Sequence, residues 1–269
     1  MNKKTLGIVT NDPEAVFQKA VIAGARLIAA QYQYSIQIAQ CIGDLPDANG
    51  LLIIANVARN DEIRAAHDSG IPISLVAHRV PGTSIPAVFS NNYQGITTLV
   101  AHLVTGCKRR KLVFIRGIAE QVDAQEREFA FRQALMRHGL TAPTAHYLPG
   151  DFSMETAADS IKNLLASGAD FDGVVSADHI MAIAAKNVLQ NAGYRIPEDV
   201  SIVGYGDGPE SELAELTVAA ANIVDMGRRA ARQILSQMAG TVIRGETILS
   251  TKLIIRQTCG YPKELIPHA

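Results

Sequence analysis

Ala192-Gly193-Tyr194-Arg195-Ile196-Pro197-Glu198-Asp199-Val200-Ser201-Ile202-Val203-Gly204-Tyr205-Gly206-Asp207 is the stretch on which the fold turns. Gly193 stands where a helix needs a left-handed residue just past its last turn. Pro197-Glu198-Asp199 carries turn chemistry, and Val200 to Tyr205 is a short apolar run of the length of a buried strand. Helix end, tight turn and buried strand in so short a span make one step of a parallel sheet with crossover helices.

Outward from this step the same alternation runs almost from end to end. Leu6-Gly7-Ile8-Val9 reads as a buried strand. After Asp12-Pro13, Phe17, Val21, Gly24 and Ile28 fall on one helical face with Val16, Ala20 and Leu27 beside them. Further strands are predicted at Ser35 to Ala39, Leu51 to Ala55, Ile73 to Val76, Leu112 to Arg116, Gly173 to Ala177 and Lys252 to Arg256. The helices between are expected to end on Gly70, Gly106, Gly139, Gly168 and Gly240 as well as Gly193. Only about ten residues, with Gly43, Pro46 and Gly50 among them, separate Ala39 from Leu51, whereas a parallel crossover usually takes a dozen or more. The crossover helix there is expected to be missing or cut to a turn.

A chain of 269 residues, 48% hydrophobic and 19% charged, can bury a full core. Its formal net charge of −1 gives no global attraction to nucleic acid or to an anionic membrane. Cys41, Cys107 and Cys259 lie far apart in no CxxC pattern, which argues against a disulfide framework and a zinc site and leaves buried free thiols as the expectation. The apolar stretch Leu6 to Val9 stops at Asn11-Asp12-Pro13, too short for the core of a signal peptide. No apolar run approaches the roughly 20 residues of a membrane span, so a cytoplasmic chain is expected.

Taken together, the glycine-ended helix, the Pro-Glu-Asp turn and the strand of 192–207 resemble the hallmark of effector domains in LacI/GalR-type transcriptional regulators. Ile71-Pro72, Asn91-Asn92-Tyr93-Gln94-Gly95, Gly106 with the basic turn after it, Arg127, Asp178-His179, Leu216-Thr217-Val218, Met226-Gly227 and Leu253-Ile254-Ile255-Arg256-Gln257-Thr258 follow in family order. The resemblance implies an α/β fold of the type I periplasmic-binding-protein-like kind, two Rossmann-like lobes with parallel sheets and a small ligand held between them. By that analogy residues 1–107 and 221–242 form the N-terminal lobe, residues 108–220 and 243–260 the C-terminal lobe, and residues 261–269 a tail or linker. The chain crossings then fall near Gly106 to Arg110, Ala219 to Asn222 and Gly240 to Gly245. The family's DNA-reading head needs tens of residues ahead of a first strand that here begins at Leu6. The chain is therefore expected not to bind DNA directly and to pass its signal to an output domain or partner protein. Arg256-Gln257-Thr258-Cys259-Gly260 resembles versions of the domain placed ahead of signalling outputs.

The same resemblance carries Asp12, His78, Arg79, Asn92, Arg127, Asp178 and Asp207 to the family's ligand cleft. Arg127 stands where the family grips its ligand with a planar guanidinium; the plainer reading is a surface arginine paired with Glu126 or Glu128. His78-Arg79 replaces an Asp-Arg of sugar-binding relatives, or is simply loop before Pro81-Gly82. Asp12 before Pro13 also suits the start of a helix. Asn91 or Asn92 must cap the helix that follows, and capping is the expected job of Asn92. The family's asparagine and aspartate are Ala177 and Gly206 here; Asp178 and Asp207 beside them serve either a ligand or, respectively, a helix cap and a turn. With those groups gone and Arg79 and Arg127 kept, the effector is expected to be anionic, a non-sugar, or absent.

Other signals carry little. Gly204-x-Gly206-x-Gly208 has the wrong third spacing for a dinucleotide fingerprint. Lys108-Arg109-Arg110-Lys111, without aromatic interleaving, reads as a solvated turn. The histidines show no metal-ligand spacing, and no nucleophile elbow or P-loop appears. No catalytic residue, metal or cofactor is therefore expected. The function read from the sequence is small-molecule sensing by a LacI-type regulator or signalling protein. A transporter's periplasmic solute-binding protein and a degenerate scaffold kept for dimer contacts are the alternatives. Because the family pairs through first-lobe crossover helices, the shortened segment after Ala39 predicts a weak or rearranged homodimer.

Overall fold

The computed structural model describes residues 4–55, 57–141 and 146–261. The chain divides into two compact units, Met1–Ser90 with Asn222–Leu249, and Asn91–Ala221 with Ser250–Ala269. The first unit takes β1 (Thr5–Val9), α1 (Val16–Gln31), β2 (Ser35–Ala39), β3 (Gly50–Ile54), α2 (Asn60–Asp68), β4 (Ile73–Val76) and β5 (Ala87–Ser90). The second takes α3 (Asn92–Ala101), β6 (Leu112–Ile115), α4 (Val122–Arg137), β7 (Tyr147–Leu148), α5 (Met154–Ala166), β8 (Gly173–Ser176), α6 (His179–Asn191), β9 (Ser201–Tyr205), α7 (Pro209–Leu213) and β10 (Thr217–Ala220). α8 (Ile223–Met238) and β11 (Glu246–Leu249) return to the first unit, and β12 (Lys252–Ile254) to the second.

Each unit holds one six-stranded sheet, in the order β11-β5-β4-β3-β1-β2 in the first and β12-β10-β9-β8-β6-β7 in the second. Every pairing is parallel except that of β12 with β10. The central strands are apolar on both faces because helices cover both, and β3, β4, β6 and β8 are buried at every position. Between β2 and β3 the crossover is a single 3-10 turn, Ile42–Asp44, as the glycines and proline there imply. In the first unit α1 packs on α8 with glycine on both sides of the crossing. A Cβ on Gly24 would lie 1.9 Å from the Val224 carbonyl oxygen, and one on Gly227 would lie 2.0 Å from that of Val21. Among the described residues no helix is long and apolar enough to cross a membrane.

Several expectations need correction. The chain leaves the first unit at Ser90–Asn91, not near Gly106 to Arg110. The reason is α3, whose Ile96, Leu99 and Val100 are buried in one core with Phe114, Phe131 and Val203 of the second unit. It leaves the first unit again at Leu249–Ser250 rather than near Gly240 to Gly245, because β11 pairs along β5 from Glu246 with Ala87 to Leu249 with Ser90. Residues 243–249 therefore belong to the first unit. β5, β7, β10 and β11 are strands where none is predicted. Gly106 is not a left-handed helix end: α3 runs on into a π-type turn, His102–Gly106, and Lys108 takes the positive φ of 61°. Gly106 instead leaves room for Tyr261, whose ring a Cβ would meet at 3.0 Å. Tyr261 packs against the core rather than starting a tail; residues 262–269 lie outside the described residues. Cys41 is exposed and Cys107 half-buried, so only Cys259 is a buried thiol.

Candidate functional site

In the second unit Ile115 pairs with Ser176 and Ser176 with Gly204, so Arg116, Ala177-Asp178 and Gly206-Asp207 share the carboxyl end of one sheet. Ligands of open α/β sheets bind at that end. α4 brings its first turns to the same place, and Arg127 is 9% exposed there. Its Nε donates to Asn92 Oδ1 at 2.9 Å and its Nη1 to the Ala177 carbonyl at 2.9 Å. Nη2 lies 3.5 Å from Asp123 Oδ2. The guanidinium carbon sits 4.0 Å from the Tyr205 ring centroid, with Phe152 on 6.0 Å. Asn92 completes the cluster by donating to Asp123 at 2.8 Å and Glu126 at 2.7 Å.

This geometry corrects the assignment of the cap. Asn91 caps α3, accepting from the Gln94 amide at 2.9 Å, while the Asn92 side chain is buried and turned to α4. Asp178 caps α6 through the Met181 amide at 2.7 Å, and burial pushes its carboxyl above the usual range. Asp207 forms a paired-fork salt bridge with Arg256, at 2.9 Å on each side, and so ties the loop after β9 to the segment after β12. Gly206 takes φ 86°, and a Cβ there would meet His179 Nδ1 at 3.1 Å, so an aspartate at this position would be strained and crowded.

Around the same edge, Arg116 Nε, Ser176 Oγ and His179 Nε2 are buried with no hydrogen-bond partner among the described residues. Arg116, Gly117, Glu128, Pro149 and Asp151 line a cavity of about 90 Å³ there. Sequence reasoning missed Arg116, Asp123 and His179, although Arg116 directly follows a predicted strand and Asp123 stands one helical turn before Arg127. Phe152 had no signal, since it lies in a loop with φ 54°.

Three candidates belong to the first unit. Asp12 is exposed and accepts from the Glu14 and Ala15 amides at 3.0 and 3.2 Å, bracing the turn before α1. Arg79 is bound by both Glu246 oxygens, at 2.5 and 3.1 Å, and stacks 4.0 Å over Phe89. His78 is buried with its Nε2 2.9 Å from Asn60 Oδ1, and burial holds its imidazole below the usual histidine range. Below pH about 6.5 the unfolded chain then binds more protons at this position than the folded one. Its contribution to stability is thus intact at neutral pH and declines as pH falls below that value toward the lower folded one. His78→Asn is expected to flatten this part of the profile, measured as urea midpoints between about pH 7 and pH 5.5; an unchanged slope would clear His78 as its source.

Two open, mostly parallel α/β sheets of this order define the periplasmic-binding-protein-like class of folds. Residues 100–259 match the model of the periplasmic binding protein-like domain, and the chain belongs to that family. The HTH-type transcriptional regulator CelR of Thermobifida fusca is 31% identical over 217 residues, which cover 78% of this chain and 63% of the relative. The chain therefore spans less than two thirds of that protein's length. Among solved structures, a transcriptional regulator CelR–cellobiose complex superposes with a TM-score of 0.83 at 23% identity, over 96% of this chain and 85% of its own. The lac repressor dimer bound to operator and the anti-inducer ONPF gives 0.85 at 19% identity, over 96% and 94%. The LacI-type resemblance read from the sequence holds.

Proposed function

We propose that this chain is the effector-sensing domain of a LacI-type transcriptional regulator, and that it binds a small polyhydroxylated molecule without transforming it. The observation that carries the reading is the trio of buried polar atoms without a partner among the described residues, Arg116 Nε, Ser176 Oγ and His179 Nε2, at the carboxyl end of the second sheet. Each such atom costs about 1–3 kcal/mol while unmatched, and a bound molecule rich in hydroxyls offsets that cost. Asp123, Glu126, Asn92 and Asp178 beside them supply acceptors for hydroxyl protons. An anionic effector loses its support, since Arg79 is paired with Glu246 and Arg127 with Asp123. The cellobiose carried by a structural neighbour favours the same ligand class. A cytoplasmic location, a homodimer and output through a DNA-reading segment or partner belong to this reading.

A thermal-shift panel of neutral mono- and disaccharides, sugar acids, sugar phosphates and small carboxylates tests it. At least one neutral sugar is expected to raise the melting midpoint saturably and to be recovered unaltered. Arg116→Met and His179→Ala are expected to remove that shift while keeping the far-ultraviolet circular dichroism. Stabilisation by anions alone, or recovery of an altered product, would overturn the proposal.

A further inference from the structure

Away from the strand ends, His102, Cys107 and Cys259 of the second unit bring one imidazole nitrogen and two thiol sulfurs within 4.8 Å of one another. His102 Nε2 and Cys107 Sγ are 3.6 Å apart. Two ligands of a tetrahedral zinc, one nitrogen at ~2.05 Å and one sulfur at ~2.3 Å, stand about 3.6 Å apart. Residues five apart on an α-helix face about 140° away from each other, so no regular helix could make this pair. The π-type turn makes it, closed by the Cys107 amide donating to the His102 carbonyl at 3.0 Å. π-type turns are frequent at functional sites.

The third donor is held independently of the other two. Cys259 ends a 3-10 turn, Gln257–Cys259, whose Thr258 Oγ1 donates to the Ile202 carbonyl at 2.7 Å and accepts from the Thr217 amide at 3.0 Å. Ser201 Oγ donates to the Cys259 carbonyl at 2.7 Å. The Tyr261 ring packs on the His102 ring with centroids 5.1 Å apart and fixes its plane. Cys259 is buried while Cys107 is half-buried, so the cluster has a covered side and an open side.

We propose that His102, Cys107 and Cys259 form a binding site for a thiophilic divalent cation of the zinc type, with the open side left to a solvent ligand. Two thiolates and a neutral imidazole neutralise such an ion, and soft sulfur donors select it over magnesium or calcium. The bound ion would clamp the 3-10 turn Gln257–Cys259 to the π-type turn that follows α3. Nothing in this assignment depends on the strand-end site.

The test is cobalt(II) titration of the full chain, reduced with a phosphine, followed by zinc(II) displacement. One equivalent is expected to give a near-ultraviolet thiolate-to-cobalt band with visible d–d absorption, bleached by zinc. Cys107→Ala is expected to halve the charge-transfer intensity and weaken binding at least tenfold. His102→Gln should keep the band but alter the d–d envelope, and Cys41→Ala should change nothing. Zinc should also protect Cys107 from alkylation, read by mass spectrometry. Cys107 is half-buried, so its alanine variant decides the matter even where Cys259→Ala fails to fold. A missing band, or a band unchanged in both Cys107→Ala and His102→Gln, overturns the site. So does a Cys107–Cys259 disulfide that reforms in air whether or not zinc is present.

Discussion

Gly227→Ala is expected to destabilise the first unit by about 3 kcal/mol or more, the upper part of the range for overpacking a tight interior, and Gly24→Ala by a similar amount. In both cases the added carbon meets a backbone carbonyl near 2 Å, and no rotamer change relieves a clash with backbone. For Gly24 the Arg228 amide nitrogen stands 2.9 Å away as well, so sliding along the helix offers no escape. The helices must separate, and the close packing of Val21 and Gly24 of α1 on Val224, Gly227 and Arg228 of α8 is lost. Gly43→Ala is the control, because a Cβ there meets nothing within 4 Å; its effect should stay within about 0.5 kcal/mol. Urea midpoints of the three variants decide. If Gly227→Ala unfolds with Gly43→Ala, the helices do not cross this closely.

The second large effect is expected at Arg127. Arg127→Met should cost about 3–5 kcal/mol, the figure for removing one partner of a buried ion pair, because Asp123 and Glu126 keep their charge and Asn92 loses the donor to its Oδ1. Lysine should recover little, since a single ammonium cannot reach Asn92, the Ala177 carbonyl and Asp123 in one plane. A double-mutant cycle between Arg127→Met and Asn92→Leu should show a coupling of about 1–3 kcal/mol; strict additivity would mean that the two side chains do not act as a unit. Any loss of effector response in Arg127 variants has to be set against this structural cost.

The parallel α/β pattern was legible because it rests on local chemistry. Gly193 takes φ 90° where the sequence requires a left-handed residue, and Ser201–Tyr205 is buried throughout. The edge strand β11 was not legible: Glu246–Leu249 has two of four side chains exposed and no apolar run, and it exists because β5 offers a free edge. That same pairing moved the domain boundary. At the candidate site, the position of Arg127 could be read but not its partners, because Asn92 comes to it from a distant helix and Ala177 contributes a carbonyl that no side-chain pattern reports. Asn91 and Asn92 are indistinguishable as caps until the backbone says which one precedes the helix. The approach of Cys107 to Cys259 was not legible either, because spacing rules describe local loops and these two residues come together only across the second sheet.

Neither unit is one continuous stretch of chain, and this sets an order on the ribosome. α1 emerges early, with the face that α8 covers still bare, and the residues of α8 follow only after the long segment 91–221 has been made. At ~5–20 residues per second that wait is on the order of ten seconds or more. Through it the nascent first unit leaves bare the surface of α1 around Val21 and Gly24 that α8 comes to cover, while the segment that builds most of the second unit is already complete. The first unit gains its last helix and edge strand only after most of the second has been made, and β12 then completes the second.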